Sequence, residues 1–150
     1  MSNRELFDAG EWRTLQFTPL WTFHTVAGAD QKIDKKEQMA LSKELAEGML
    51  YNNDLAREVL TSLVGDLGQA LAQFGADDRD WMRGLSDAAD VLDHKVSADM
   101  ANGFKSSMLL LGHNIAAASG GGFFGMGDKV SGEEKKAIVM VAVALRAKLQ

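Results

Sequence analysis

The chain has 150 residues, of which 46% are apolar and 25% charged, and this length and composition predict one folded domain rather than a disordered or low-complexity chain. Sixteen Lys and Arg against 21 Asp and Glu give a formal net charge of −5, which removes any general electrostatic reason for binding nucleic acid or an anionic membrane. The absence of cysteine excludes disulfides, thiolate nucleophiles and cysteine-based metal sites. A cationic partner or a metal ion fits this acidic balance better.

The sequence has neither the pattern of an export signal nor that of a membrane span. Residues 1–11 carry charges where a secretory signal needs an apolar stretch. The longest stretch without a formal charge, residues 106–127, contains His113, Asn114 and a cluster of glycines, which disfavour a stable spanning helix. We therefore expect a cytoplasmic protein without a transmembrane segment.

Apolar residues recur at spacings of three and four along nearly the whole chain, so the sequence predicts an all-α, single-domain bundle of about six or seven helices. A short helix containing Trp12 is expected first. A second helix is predicted to begin at Thr18 and Pro19, because proline favours the first helical position, and to end near Gly28.

Three further helices follow in the predicted order. Asp34 marks the start of one, and Asn53 caps the next, whose apolar period continues to Phe74 and which we expect to be the central helix. Asp77 or Asp78 then opens another helix. Its predicted buried stripe consists of Trp81, Met82, Leu85, Ala88, Ala89 and Leu92.

The last third of the chain contains two predicted helices separated by a loop. Ser97 caps the first of them, and residues 119–127 form a glycine-rich loop or hinge in which Phe123 and Phe124 are embedded. Ser131 caps the final helix. The core positions predicted for these helices are Met100, Ala101, Phe104, Met108, Ile115, Ile138, Val141, Ala142 and Leu145.

Two segments separated by 97 residues repeat one pattern. Residues 28–37 align with residues 125–134, and a glycine, a lysine, a β-branched residue, a helix N-cap and a later glutamate recur in register. The aligned N-caps are Asp34 and Ser131, and each is followed three residues later by a Glu, as in a capping box. The repeat therefore predicts two helix-loop-helix halves.

These residues resemble the TerB-like family of tellurite-resistance and stress-response proteins, whose all-helical domain repeats an Ala-Asp-Gly, apolar, Ser/Asp, then Glu pattern in both halves. The similarity covers residues 29–34 with Glu37, and residues 127–131 with Glu134. The first loop has Gln in place of the family's Gly, and the second reverses the order of Asp and Gly. The resemblance implies a compact module, linked to tellurite resistance, whose acidic loops bind divalent metal and recruit protein partners, membrane-associated stress-response components among them.

The paired loops predict one acidic surface at which carboxylates from both halves hold a divalent cation, calcium or magnesium being favoured over soft metals. A complete EF-hand does not fit, because Val26 and Gly28 stand where its first two side-chain ligands belong. The simpler alternative is that the acids are helix caps and turn residues only. The candidate metal ligands are Asp30, Asp34, Glu37, Asp128 and Glu134.

Three classes of function remain open at this point. The leading hypothesis is a non-enzymatic, stress-response module that binds partners and a divalent cation, and the alternative is a metal-free helical adaptor or co-chaperone-type domain. An enzyme is the third class, and the sequence offers no nucleophile elbow or phosphate-binding loop to support it. Packing or surface roles are expected for the histidines and tryptophans, which are His24, His94, His113, Trp12, Trp21 and Trp81.

Overall fold

The computed structural model describes residues 3–28, 35–47, 51–119 and 132–148, the side chains of residues 35–38, 40, 118 and 119 excepted. Within these ranges the chain forms a short 3-10 helix, Asn3–Leu6, seven α-helices and no strand, which confirms the predicted all-α bundle. The α-helices are α1 (Ala9–Ala27), α2 (Lys35–Ala46), α3 (Asp54–Gly65), α4 (Leu67–Ala76), α5 (Trp81–Lys95), α6 (Ala98–Ser119) and α7 (Gly132–Leu145).

Helix α1 is the central helix of the bundle. It contacts α3, α4, α5, α6 and α7, and residues 14–23 are all buried, which covers every face of nearly three turns. The expectation that the run from residue 55 to 74 would be central is therefore wrong. The sequence pattern suggested that run because its helical apolar period is longer than that of α1. Helix α1 is enclosed on all sides, so it needs no single apolar stripe and its sequence shows no long period.

The predicted division of α1 at Pro19 is also wrong, because one continuous helix runs through that residue. The helix begins at Asp8, whose carboxylate accepts a hydrogen bond from the Glu11 N–H while the Glu11 carboxylate accepts one from the Asp8 N–H. This capping box provides hydrogen-bond acceptors for two backbone N–H groups at the start of α1, which have no partner within the helix. Pro19 lacks the N–H that would bond one turn back, and packing against five helices offsets that loss.

The buried polar side chains of α1 are hydrogen-bonded, half of them within the helix itself. The hydroxyls of Thr18 and Thr22 donate to the carbonyls of Thr14 and Thr18 at 3.0 and 2.9 Å. The Gln16 amide donates to the Ser62 hydroxyl on α3 at 3.0 Å. A buried hydroxyl costs little free energy once it is hydrogen-bonded, so a threonine-rich helix can occupy the centre of the core.

The apolar run predicted as one helix is divided into α3 and α4 at Asp66. This residue adopts φ −133° and ψ 30°, and its N–H bonds to the Leu63 carbonyl in a tight turn. Gly65 and Gly68 flank the turn, and glycine in a helix interior is less favourable than alanine by about 1 kcal/mol. The change of direction leaves Leu71 exposed, contrary to the predicted apolar stripe.

The predicted helix caps agree with the structure at two positions and differ at a third. The Asn53 side chain accepts from the Ala56 N–H at 2.8 Å, and the Ser97 hydroxyl accepts from the Met100 N–H at 3.2 Å, as expected. Helix α5 is capped by Asp80 rather than by Asp77 or Asp78, because Asp77 is bonded to Arg79 instead. Met82 is exposed, whereas the rest of the predicted stripe on α5 is buried or partly buried.

One hydrophobic core joins the helices. Its aromatic centre is the cluster of Phe17, Trp21 and Phe74, whose ring centroids lie 5.2 to 5.9 Å apart. In the part of the chain that the structure describes, no helix combines the length and the apolar content that crossing a bilayer requires. The predicted inward positions of α6 and α7 are buried or partly buried, as expected for Phe104, Met108, Ile115, Val141 and Leu145.

Candidate functional site

The predicted metal ligands are described only in part. Glu37 lies in the first turn of α2, but its side chain falls outside the described residues. Glu134 lies in the first turn of α7 and is fully buried, whereas its neighbour Glu133 is exposed. The predicted residues that lie outside the described ranges are Asp30, Asp34, Asp128, Ser131, Phe123, Phe124 and the rest of the glycine-rich segment 120–127.

A groove of about 430 Å³ opens between the C-terminal end of α1 and the N-terminal ends of α5 and α7, and we call it the α1–α5–α7 groove. Gly28 is the last described residue before the first repeated loop, and Glu133 is the second described residue after the other loop. Both line the groove, so the residue before the first loop and a residue just after the second lie at one place on the surface. Among the residues that line it are His24, Gly28, Trp81, Glu133, Lys136 and Met140.

His24 brings an imidazole to the groove from the last full turn of α1. Its ring stacks on Phe74 with centroids 5.4 Å apart, and it meets Phe23 edge-on at 5.6 Å. Partial burial lowers the pKa of His24 below its ordinary value, which favours the neutral imidazole, in which one ring nitrogen can accept a hydrogen bond or ligate a metal ion. The packing role expected for His24 holds, but its place in the groove was missed, although it stands one helical turn before the first loop.

Trp81 forms an apolar wall of the groove. It is the first residue of α5, and the Asp80 carboxylate fixes that helix start by accepting from the Arg83 N–H at 2.8 Å. Trp81 is partly buried and packs against the hydrophobic core, so it is both a packing residue and a lining residue. Trp12 and Trp21 are buried, which agrees with their expected packing roles.

The groove combines apolar surface with three polar groups of different chemistry. Trp81 and Met140 supply apolar surface, and His24, Glu133 and Lys136 supply an imidazole, a carboxylate and an ammonium group. Imidazole and carboxylate are metal-ligand types. Within residues 3–28, 35–47, 51–119 and 132–148, however, no three His, Cys, Asp or Glu side chains come together as a metal site. A cation held here would therefore need ligands from the two loops.

A second polar cluster surrounds Arg79, in the connection between α4 and α5. The guanidinium donates to the Asp77 carboxylate at 2.8 Å, to Asp87 at 3.1 Å and to the Thr14 hydroxyl at 3.2 Å. It also lies 4.9 Å from the centroid of the Trp21 ring, in a cation–π contact. The hydrogen bond from Arg79 holds the pKa of Asp77 below its ordinary value. Because these contacts occupy the Arg79 guanidinium, we interpret the cluster as structural.

A third cluster connects α6 with the C-terminal ends of α5 and α7. Lys105 on α6 is buried, with its side chain 3% exposed, and its ammonium donates to Asp93 on α5 at 2.9 Å. The same ammonium lies 3.4 Å from the Arg146 carbonyl at the end of α7. The Arg146 guanidinium in turn bonds Asp90 at 2.6 Å and Asp93 at 3.4 Å. These contacts tie α5, α6 and α7 together and leave the groove as the better candidate site.

Within the described residues, the chain is an all-helical module with a mixed apolar and polar groove that Gly28 and Glu133 help to line. Comparison of the chain with family models, with curated proteins and with solved structures yields no match.

Proposed function

We propose that the chain is a non-enzymatic, TerB-like stress-response module whose two repeated loops together hold a divalent cation and recruit protein partners at the α1–α5–α7 groove. One observation carries the proposal: Gly28 and Glu133, which adjoin the two loops, line the same groove. A site shared between the halves requires this proximity. The resemblance of the loops to the TerB-like pattern supports a role in chemical stress, tellurite resistance included, and a cytoplasmic setting.

The cation chemistry follows from the residues of the loops. Asp30, Asp34 and Asp128 supply carboxylate oxygens, which calcium and magnesium prefer. Glu37 and Glu134 lie in the first turns of α2 and α7, at the third position of the capping boxes that the sequence predicts. Glu134 is fully buried, which favours its capping role over a ligand role. Water completes the shell, so the affinity is modest and falls on acidification as the carboxylates take up protons.

A metal-free adaptor is the second candidate, and a specific observation favours it. Part of the lining of the groove is apolar, and Met140, one of the lining residues, is 46% exposed. Exposed apolar surface around a concave groove is typical of protein–protein contact sites. In this alternative the acids of the loops cap helices and close turns, and the groove alone binds the partner.

Calorimetric titration of the full chain with calcium, magnesium, manganese and zinc separates the two candidates. The proposal expects binding heat and a raised melting temperature with calcium or magnesium, and weaker binding after Asp30→Asn/Asp128→Asn, with helix content unchanged. The matched control is Glu5→Gln/Asp78→Asn, which removes the same charge from two exposed acids that do not line the groove. No heat and no thermal shift with any of the four cations would leave the metal-free adaptor.

A further inference from the structure

Two openings lie along helix α1. One is the α1–α5–α7 groove, which His24 helps to line. The other is a cleft of about 370 Å³ between the N-terminal half of α1 and the end of α4, and we call it the α1–α4 cleft. Phe17 and Arg13 line this cleft from α1, and Gln73 and Ala76 line it from α4. The two openings therefore share α1 as a common wall.

Phe74 on α4 lies between these two openings. Its ring centroid is 5.2 Å from that of Phe17, which lines the cleft, and 5.4 Å from that of His24, which lines the groove. Phe17 and His24 are seven residues apart on α1, which places them on one face of the helix and about 10.5 Å apart along its axis. The two ring contacts fill that distance, so Phe74 separates the cleft from the groove.

Helix α4, which carries Phe74, lies on the outside of the bundle against α1 and α3. Ala70 is buried, Leu67 and Phe74 are partly buried, and Leu71 is 47% exposed. A short helix that is attached through so few apolar contacts belongs to the less stable part of a fold, and the lids of binding sites are drawn from such parts. The packing of α4 therefore permits it to move while the rest of the bundle stays folded.

A glycine stands at each end of α4. Gly65 comes directly before the turn at Asp66, and Gly75 is the second-last residue of the helix. No other side chain lies within 4 Å of a Cβ atom placed on either glycine, so close packing requires neither of them. The Asp66 side chain caps no N–H of α4, and its ion pair with Arg13, at 3.3 Å, is exposed. Exposed ion pairs contribute little to stability, so this one holds the start of α4 only weakly.

The connection that follows α4 is firmly anchored. The Arg79 guanidinium donates to Asp77 and Asp87. It also contacts Thr14 and Trp21, which fixes the connection to α1. A lightly packed helix between two flexible residues, with a fixed connection after it, has the parts of a hinged lid.

We propose that α4 is a lid that turns about Gly65 and Gly75, and that Phe74 is its gate. In the closed form Phe74 separates the α1–α4 cleft from the α1–α5–α7 groove. In the open form its ring leaves Phe17 and His24, and the two openings join into one channel along α1. The position of α4 then determines how far the groove extends, whatever ion or partner the groove binds. The lid is independent of the cation site.

Relaxation dispersion in nuclear magnetic resonance of the full chain tests the lid, because lid motions occur in microseconds to milliseconds. We expect exchange broadening at Phe17 and His24, which lie on opposite sides of the gate, with one shared rate. Gly65→Ala/Gly75→Ala should lower the population of the open form about tenfold, because alanine restricts the backbone at both hinges. Absence of exchange in the parent, or different rates at Phe17 and His24, would overturn the proposal.

Gly68→Ala is the matched control for the hinge substitutions. Gly68 lies inside α4 and also has open space around it. A rigid lid keeps its helix intact on opening, so Gly68→Ala should leave the exchange broadening unchanged. If Gly68→Ala reduced the broadening as much as the hinge substitutions do, α4 would melt locally rather than turn as a lid, and the proposal would be wrong.

Removing the gate tests the channel itself. Trp21 is 2% exposed in the closed form, and Phe74→Ala removes the ring that covers one side of its indole. A soluble neutral nitroxide should then broaden the indole N–H signal of Trp21 at least about fivefold more than in the parent. Leu71→Ala, at an exposed position of the same helix, is the control and should leave that signal unchanged.

Circular dichroism determines whether each gate variant keeps its helices. Phe74→Leu, which retains an apolar side chain but no ring, replaces Phe74→Ala if the latter loses helix content. A folded gate variant in which Trp21 stays as protected from the nitroxide as in the parent would show that Phe74 is not the gate. Calcium titration of the hinge variant should match that of the parent, since the cation ligands lie outside α4, and a changed affinity would contradict the independence of the lid from the cation site.

Discussion

Gly84 on α5 lies directly against the indole ring of Trp21 on α1, and a Cβ atom on Gly84 would overlap that ring. Trp21 is buried among Phe17 and Phe74, so it has no free space into which to move. The missing side chain therefore permits the close approach of α1 and α5 at the centre of the bundle.

Gly84→Ala is expected to lower the free energy of unfolding by about 1–3 kcal/mol, because overpacking outweighs the gain in helix propensity. Gly68→Ala, at a helical glycine with open space around it, is the matched control and should be neutral or stabilising by up to about 1 kcal/mol. Denaturant unfolding monitored by circular dichroism measures both. If the two substitutions changed the free energy of unfolding equally, Trp21 would have to move away from the new Cβ atom at little cost.

Asp93→Ala is expected to lower the free energy of unfolding by about 2–3 kcal/mol, because it leaves the Lys105 ammonium buried without its carboxylate. The conservative Lys105→Met substitution removes the buried charge itself and should cost less than about 1 kcal/mol. Chemical unfolding at pH 7 gives both values. A larger loss for Lys105→Met than for Asp93→Ala would mean that the ammonium stabilises α7 mainly through the Arg146 carbonyl.

Acid should destabilise the fold below about pH 4 through Asp77 and Asp93. The hydrogen bond from Arg79 lowers the pKa of Asp77; burial opposes a lowered pKa at Asp93, but contacts with Lys105 and Arg146 outweigh it. Both carboxyls have a lower pKa in the folded chain than in the unfolded one. The stability that these two carboxyls give to the fold is therefore complete above their pKa in the unfolded chain, and it is lost as the pH falls through their pKa in the folded chain.

Unfolding curves measured in steps from pH 7 to about pH 2 test this dependence on acid. Arg79→Met removes the contact that lowers the pKa of Asp77, so the variant should be less stable at pH 7 and lose less stability on acidification. If the variant lost as much stability between pH 7 and low pH as the parent does, Asp77 would be excluded as a source of the acid sensitivity.

Arg146 ends α7 in the left-handed region, at φ 56°, where glycine is the usual residue. Its N–H bonds to the Val143 carbonyl, and the Ala147 N–H bonds to the Ala142 carbonyl, as in a Schellman motif. Arg146→Gly and Arg146→Ala both lose the ion pairs, but only Ala keeps the unfavourable backbone. We expect Arg146→Ala to be less stable than Arg146→Gly by about 1 kcal/mol in thermal unfolding, and equal stability would argue against this helix end.

The all-helical fold could be predicted because spacings of three and four, helix caps and scarce proline act locally, and each predicted helix has a counterpart within the described residues. Helix divisions were harder to predict. Pro19 looked like a helix start because the packing that keeps α1 continuous through it is a tertiary effect. Asp8 and Glu11 nevertheless carried the pattern of a capping box in the sequence. The turn at Asp66 had a local signal in two nearby glycines, but the apolar period across it concealed the break.

The groove could not be predicted, since its walls come from three distant parts of the chain. His24, Trp81 and Met140 are separated by more than fifty residues at each step, and only the packing of α1, α5 and α7 brings them together. The repeat did predict that the two loops share a surface. Gly28, before the first loop, and Glu133, just after the second, line one groove, while the shared surface and its predicted ligands Asp30 and Asp128 stay a prediction for experiment.

Paramagnetic manganese tests directly whether the two loops share one cation. A single Mn²⁺ ion at a shared site should broaden the backbone amide signals of both Gly28 and Glu133, because both residues line one groove. Glu11 lies near the other end of the 19-residue helix α1, which is about 28 Å long, so its amide should stay sharp. Excess calcium should restore the broadened signals, since both ions use oxygen ligands. Broadening of both amides that persists after Asp30→Asn alone, or after Asp128→Asn alone, would place the ion in a single loop and contradict the shared site.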